Sequence, residues 1–331
     1  MKKMNKQTGK NILVTGGAGY IGAHMAGMLI EAGFNVIVFD DLSTGVKPWV
    51  APKAKFIKGD LCDSSDCRKI FKDNRIDAVM HFAAKIVVPE SVGKPVMYYR
   101  NNVGGTLNLL WAMQEHQVRR IVFSSTAAVY GEPKRVPITE KDPVMPMNPY
   151  GNSKYFIEQI LRDMARANAI DYICLRYFNV AGWDTQRLWT SKGRPVPTHL
   201  ISNVMQALRG KGRLNVCGND YKTPDGTGVR DFIHVMDLCN AHLFALKAFN
   251  KGIKNEVFNL GNEKGFSVME VIRTAGRVAG RSVPHKFTPR RLGDVATIIA
   301  SSAKARKILG WGPRYDLQAI LKSEWERYSH A

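Results

Sequence analysis

Asn11-Ile12-Leu13-Val14-Thr15-Gly16-Gly17-Ala18-Gly19-Tyr20-Ile21-Gly22 opens with a short apolar run, passes through a glycine turn and continues as an apolar helical pattern to Gly33. Strand, glycine turn and helix in that order are the context a phosphate-binding loop requires. Gly16 permits the tight turn, Gly19 lets backbone approach a pyrophosphate, and Gly22 lets the helix pack closely on the strand. The start of the helix attracts negative charge. Tyr20 and Ile21, at that start, join the glycines as expected contacts of a dinucleotide. Residues 35–39 predict a second strand, and Asp40 stands at its carboxyl end, where a carboxylate accepts hydrogen bonds from the adenosine ribose. Asp40 and Asp41 together would repel a 2′-phosphate, so NAD is expected rather than NADP.

The alternation continues outward from this unit. Residues 55–57 predict a third strand, with Asp60 and Leu61 just beyond it where an adenine would lie. Residues 78–83 predict a fourth, leading into Phe82, Ala83 and Ala84, which are expected beside the cofactor. His81 has no acidic or nucleophilic neighbour in sequence and is expected to be structural. Helical patterning over 95–115 contains Asn101 and Asn102, whose amides need loop or turn backbone as partners if buried, and Asn102 is also placed in the cofactor set. A fifth strand, 119–125, runs into Ser124-Ser125-Thr126, and a sixth, 171–177, ends in Phe178-Asn179.

In an open parallel sheet, ligands bind beyond the carboxyl ends of the strands. Ser124, Ser125 and Thr126 therefore belong on the active side, and Phe178 is placed in the cofactor set. Strands alternating with helices from 11 to 177 predict an α/β fold: a Rossmann-type doubly wound parallel sheet with right-handed crossovers. After Gly182 come loops at 183–197 and 219–228, a strand at 256–260, and helices at 198–209, 235–250, 267–279, 301–309 and 316–328. The expected division is a nucleotide domain over 1–180 and a smaller α/β substrate lobe over 181–331, with some later segments returning to the first domain.

Tyr150-Gly151-Asn152-Ser153-Lys154 opens a helical segment reaching about residue 168 and sets a phenol and an ammonium four residues apart. On a helix that spacing puts both on one face, where the cation stabilises the phenolate. A free tyrosine titrates near ~10. Beside Lys154 and a nicotinamide cation, Tyr150 becomes a candidate general base.

Composition limits the alternatives. The chain has 331 residues, 45% of them hydrophobic, and five scattered cysteines without metal-ligand spacing, which predicts reduced thiols in a cytoplasmic protein and no metal site. No apolar run suits a signal peptide or a membrane span. The formal net charge of +20 raises the question of nucleic acid, but Lys and Arg are spread along the chain without a nucleic-acid-binding motif. A solvated surface together with attraction of anionic substrates is the favoured reading of that charge.

Taken together, these stretches resemble the extended short-chain dehydrogenase/reductase family, and within it the UDP-glucose 4-epimerases, over nearly the whole span 11–328. The likeness is carried by the glycine turn, by Ser124-Ser125-Thr126 with Val129-Tyr130-Gly131, by Tyr150 with Lys154, and by Arg176-Tyr177-Phe178-Asn179-Val180-Ala181-Gly182. The run 226–238, containing Val229-Arg230-Asp231-Phe232, and Arg290-Arg291-Leu292-Gly293-Asp294 point to the epimerases more narrowly. The resemblance implies a tightly held NAD, a UDP-hexose inverted at C4 through a 4-keto intermediate, and a homodimer paired through the helices near 95–115 and 150–168.

It further implies that Thr126 binds the sugar O4, Tyr150 removes its proton, and Lys154 holds the nicotinamide ribose. Asn179 would meet the diphosphate or sugar, Leu200 the uracil, and Arg230, Arg291 and Asp294 the diphosphate and uridine ribose. Lys85 lies one place before the family's usual lysine and is given no phosphate. His199 stands where an Asn often contacts the nucleotide, Cys217 where an aromatic often flanks the base, and Phe232 where a Tyr is common. Ile298, four places after Asp294, falls where similar epimerases line the pocket near the sugar C2 substituent.

Epimerases of other UDP-sugars, such as UDP-N-acetylglucosamine or a UDP-pentose, remain alternatives, as does a net dehydrogenase with exchangeable cofactor. A nucleotide-sugar dehydratase is disfavoured, because Ala127 and Ala128 follow Thr126 where that chemistry needs an Asp-Glu pair.

Overall fold

The computed structural model describes residues 9–184, 199–291 and 294–329. The loop expected at 183–197 and the pair Leu292-Gly293 lie wholly or largely outside these. In chain order the strands are β1 (Asn11–Thr15), β2 (Asn35–Asp40), β3 (Lys55–Lys58), β4 (Ala78–His81), β5 (Arg120–Thr126), β6 (Asp171–Tyr177) and β7 (Asn179–Ala181). They continue with β8 (Leu214–Cys217), β9 (Val229–His234), β10 (Glu256–Leu260), β11 (Gly265–Ser267), β12 (His285–Thr288) and β13 (Thr297–Ile298). The chain forms two compact units, one of Met1–Gly131, Val144–Arg176 and Cys239–Phe258, the other of Glu132–Pro143, Tyr177–Leu238 and Asn259–Ala331.

A seven-stranded sheet in the order β10-β6-β5-β4-β1-β2-β3 dominates the first unit. Its pairs β1·β2, β1·β4, β2·β3 and β4·β5 are parallel. Ile12, Leu13 and Val14 are buried, as a strand covered on both faces must be, which is why β1 is a continuous apolar run rather than an alternating one. Leu13, Ile37, Phe39, Val79, Ile121 and Phe123 from the sheet pack with Ile70, Leu109, Met113, Ile157 and Leu161 from flanking helices. Thr15 is in register with both Phe39 and His81, so the carboxyl ends of β1, β2 and β4 are level. The chain winds outward in opposite directions from β1 and β4, which makes the end of that pair the topological switch point.

The span expected as a helix over 95–115 is helical throughout but not α-helical throughout. It runs as Pro95–Tyr98, a π-helical stretch Tyr99–Gly104, and Gly105–Glu115. The widened turn contains Asn102, whose side chain is engaged with the loop after β4. Helix Pro149–Arg166 starts with Asn148, whose Oδ1 accepts from the Gly151 N–H at 2.9 Å, and with Pro149 in the first turn, where a missing N–H has no cost.

In the second unit, Ile201, Val204, Met205, Val271, Ile272, Ile320 and Leu321 form a separate core. A sheet β11-β9-β13 with β7 on β9, and a pair β12-β8, complete it. The sequence pattern missed β7, β8, β9, β11, β12 and β13; all of these except the six-residue β9 have two to four residues, too few to display a period.

Candidate active site

The glycine turn is built as its spacing suggests. Gly16 has φ 68°, and its N–H donates to the Phe39 carbonyl at 2.9 Å. A Cβ there would lie 2.6 Å from the Ala83 nitrogen, so the turn is packed against the loop after β4. A Cβ on Gly22 would overlap the Gly16 carbonyl oxygen, whereas one on Gly19 would meet only that oxygen, at 3.2 Å. Gly19 thus presents an open face, and helix Tyr20–Glu31 begins there with no side-chain cap and no acidic residue in its first turn. Uncapped N–H groups and the positive end of the helix suit a pyrophosphate.

Asp40 is buried; its Oδ2 accepts from the Ala18 N–H and its Oδ1 from the Leu42 N–H, both at 2.9 Å. Burial raises the Asp40 carboxyl above its ordinary value, and the two backbone bonds oppose that rise. The remaining acceptor positions of the carboxylate fit ribose hydroxyls. Asp41 is turned to Ser43, accepting from both its N–H and its hydroxyl at 2.8 Å. Asp60 Oδ1 accepts from the Cys62 N–H at 2.8 Å, and Leu61 is buried beside it in the first core.

Asn102 holds the loop after β4 by its backbone. Its Oδ1 accepts from the Lys85 N–H at 2.8 Å, and its Nδ2 donates to the Lys85 carbonyl at 3.0 Å and to Ser153 Oγ at 2.9 Å. Since Ala83 lies in that loop, Asn102 fixes a wall of the glycine cradle. Thr106 Oγ1 gives its proton to the Asn102 carbonyl, so it accepts from His81 Nε2, which leaves His81 Nδ1 to accept from Thr15. Burial, helped by Lys154, holds His81 neutral with a pKa near 3.

The end of β5 and the start of helix Pro149–Arg166 bring Thr126, Tyr150 and Lys154 together. All three are buried, and the Thr126 hydroxyl bears on the Tyr150 phenol. Burial pushes the phenol up to about 12, with the Thr126 bond pulling the other way. Lys154 Nζ donates to the Ser124 carbonyl at 2.9 Å and lies 4.8 Å from the centroid of the Phe123 ring. Burial draws its pKa down to about 7, and Glu158 opposes this. The four-residue spacing therefore sets phenol and ammonium on one face, but the ammonium is bound to the strand end. Ser124 contributes its carbonyl to Lys154 and its hydroxyl to His242 Nε2 at 3.0 Å, and the His242 ring lies 4.7 Å from that of Phe82.

In the second unit, Asn179 Nδ2 donates to the Asp231 carbonyl at 3.1 Å. Phe178 is buried and its N–H donates to the Leu260 carbonyl at 3.3 Å. His199 and Leu200 stand at the start of helix Leu200–Leu208. Arg230 lies 3.6 Å from Asp294 and donates to the Val229 carbonyl at 2.9 Å, while Arg291 and the Tyr221 phenol bear on its charge. Ile298 is directly in register with Arg230 across β13 and β9. Two guanidinium groups and a carboxylate in one place have the chemistry of a diphosphate and diol site.

Sequence reasoning missed three buried groups. Asp231 accepts from the N–H groups of Asn262, Glu263 and Ala300, yet burial still raises its carboxyl to about 7. Glu158 pairs with Arg176, and His242 meets Ser124. Glu158 alone had a visible signal, being four residues beyond Lys154 and therefore on the same buried stripe.

The family model described as the NAD dependent epimerase/dehydratase family matches residues 12–261. The chain belongs to this family. It is similar to a UDP-glucose 4-epimerase of Lactobacillus helveticus, at 46% identity over 317 residues, covering 95% of this chain and 96% of that protein. Among solved structures it is similar to the UDP-glucose 4-epimerase of Brucella ovis in complex with NAD, with TM-score 0.92, 41% identity and coverage of 97% of this chain and 98% of that one. It is also similar to the UDP-Glc/GlcNAc 4-epimerase of Campylobacter jejuni, with TM-score 0.85, 40% identity and coverage of 98% and 100%.

Proposed function

We propose that the protein interconverts UDP-glucose and UDP-galactose by inverting C4 through a 4-keto intermediate, with NAD as its resident cofactor and Tyr150 as its base. The observation that carries this reading is the buried trio at the carboxyl end of β5, where Thr126 bears on the Tyr150 phenol one helical turn from Lys154, whose Nζ is bonded to the Ser124 carbonyl. The glycine cradle, the uncapped helix start and the buried Asp40 carboxylate fit a dinucleotide with free ribose hydroxyls.

Held by the Gly16–Gly22 turn and Asp40, NAD would supply the hydride chemistry needed to break the C4–H bond, a cleavage no side-chain base performs at useful rates. Tyr150 takes the O4 proton and gives it back, so it must ionise despite a pKa near 12 in the free protein. Lys154 supplies positive charge on the same helix face and lowers the energy of the phenolate. Thr126 keeps the proton transfer in line by bonding both phenol and substrate oxygen. In the second unit, Arg230 and Arg291 would neutralise the diphosphate, Asp294 would bind uridine ribose, and Leu200 and His199 would flank the base.

The substrate range extends to the N-acetylated sugars in this reading. Ile298 is half-buried, lacks the ring and hydroxyl of tyrosine, and leaves more room than that residue would. A second copy of the chain is the proposed partner. The helices between residues 88 and 115 and helix Pro149–Arg166 expose Val92, Val96, Leu107, Trp111 and Phe156, an apolar set that a homodimer would cover. All five cysteines are free thiols, which suits a cytoplasmic setting.

The test is direct. The purified protein, denatured, releases NAD and not NADP by mass, and the native protein converts UDP-galactose to UDP-glucose with no cofactor added. Absence of both bound nucleotide and conversion would sink the reading.

A further inference from the structure

On and beside the Tyr150 helix, four side chains with no part in the proposed proton transfer form a buried set. Arg176 Nε donates to Glu158 Oε1 at 2.9 Å and its second terminal nitrogen to Glu158 Oε2 at 2.5 Å, with both side chains under 5% exposed. The other terminal nitrogen of Arg176 donates to the Tyr130 hydroxyl at 2.9 Å, and the guanidinium lies 4.9 Å from the centroid of that ring. Ser125 Oγ donates to Glu158 Oε1 at 2.5 Å.

Taking two charges out of water is costly, and a buried pair is often no more stable than well-packed apolar residues of the same volume. What a forked, fully bonded pair does supply is fixed geometry. The location of this one gives that geometry a use. Glu158 is one helical turn beyond Lys154 and two beyond Tyr150, on the same face. Ser125 directly precedes Thr126 on β5, Arg176 is on β6, and Tyr130 closes the short turn that Thr126 caps through its bond to the Ala128 N–H at 3.2 Å.

We propose that the Glu158–Arg176 pair is a positioning element of the active site, locking the helix face that carries Tyr150 and Lys154 to the strand end that carries Ser125 and Thr126. The proposal rests on Tyr150 being the base. It also has an electrostatic side. The titratable groups that bear on Lys154 are Glu158 on its own helix, Cys174 on β6 and His81 on β4, with Arg176 behind Glu158. His81 is neutral and burial raises the Cys174 thiol well above its ordinary value, which leaves Glu158 as the anion that offsets the burial of Lys154. Without that carboxylate the ammonium loses its proton at lower pH.

The experiment compares two variants with wild type, each as the NAD-loaded protein normalised to bound nucleotide. Ser125→Ala cuts the tie from strand to carboxylate while leaving the ion pair whole. Glu158→Gln/Arg176→Met removes both charges at nearly constant volume, so that no lone buried cation unfolds the chain. Both should keep KM for UDP-galactose within about twofold and lower kcat by roughly tenfold, the scale of a modest misplacement of a reacting group. In the double variant, which lacks the carboxylate, the alkaline limb of kcat should also move to lower pH, a shift that a purely structural role would not produce. Tyr150→Phe is measured alongside. If it keeps wild-type turnover, the base assignment fails and the proposal with it. If it is inactive while Ser125→Ala and the double variant match wild type in kcat and pH profile, the positioning role alone is overturned.

Discussion

Tyr150 and Lys154 are four residues apart on one helix, yet burial moves their pKa values apart, the phenol up to about 12 and the ammonium down to about 7. The spacing was legible in the sequence. That Lys154 is bonded to the Ser124 carbonyl was not, because a backbone acceptor on a strand about 30 residues upstream leaves no trace in a local pattern. Tyr150→Phe should lower turnover by at least about a hundredfold while the protein still purifies with NAD, since only the proton-transfer group is lost. Wild-type turnover in that variant would remove Tyr150 from the chemistry.

Ile298 gives the specificity prediction at this scale. Its β-branch restricts how far it can rotate aside, so conversion of UDP-N-acetylglucosamine should be measurable but slower than that of the plain hexoses. Ile298→Tyr should abolish the acetylated activity and leave UDP-galactose turnover largely intact. An unchanged ratio of the two activities would place the pocket wall elsewhere.

At the scale of elements, the cradle between β1 and helix Tyr20–Glu31 depends on two glycines for different reasons. A Cβ on Gly22 would overlap the Gly16 carbonyl oxygen and come within 2.8 Å of Gly17 Cα, so the helix must move away from the strand. Gly22→Ala should cost about 1–3 kcal/mol, the usual scale of overpacking, and should lose bound NAD. Gly19→Ala should fold with nearly unchanged Tm, because its nearest contact, at 3.2 Å, requires only a small shift, but it should hold NAD less tightly. Thermal unfolding and the ratio of NAD to protein separate the two, and equal losses of stability in both would refute the distinction. The glycine spacing was visible in the chain. The break of the 95–115 helix into a π-helical stretch was not, because the loop backbone that Asn102 satisfies is brought to it only by folding.

For the whole molecule, the exposed apolar set on the helices between residues 88 and 115 and on Pro149–Arg166 motivates the dimer. Val96 is 77% exposed and Trp111 66%, values that side chains of this size and character rarely hold across several neighbours on a lone monomer. Val96→Glu/Trp111→Glu should convert the protein to a monomer at micromolar concentration in light scattering, by burying unpaired charge in the contact. A wild-type protein already monomeric under the same conditions would contradict the assembly.

The chain's own pattern determined the doubly wound sheet, the dinucleotide loop and the trio Thr126, Tyr150 and Lys154. Each of these is specified by residue type and short spacing: apolar runs, glycines where a Cβ cannot fit, and a four-residue helical repeat. Tertiary structure alone decided which strand end receives Lys154, that Glu158 finds Arg176, and that Ile298 lies in register with Arg230. Those pairings join residues distant along the chain, and a buried polar group takes whichever partner the fold brings within hydrogen-bond reach, a choice that no local period encodes.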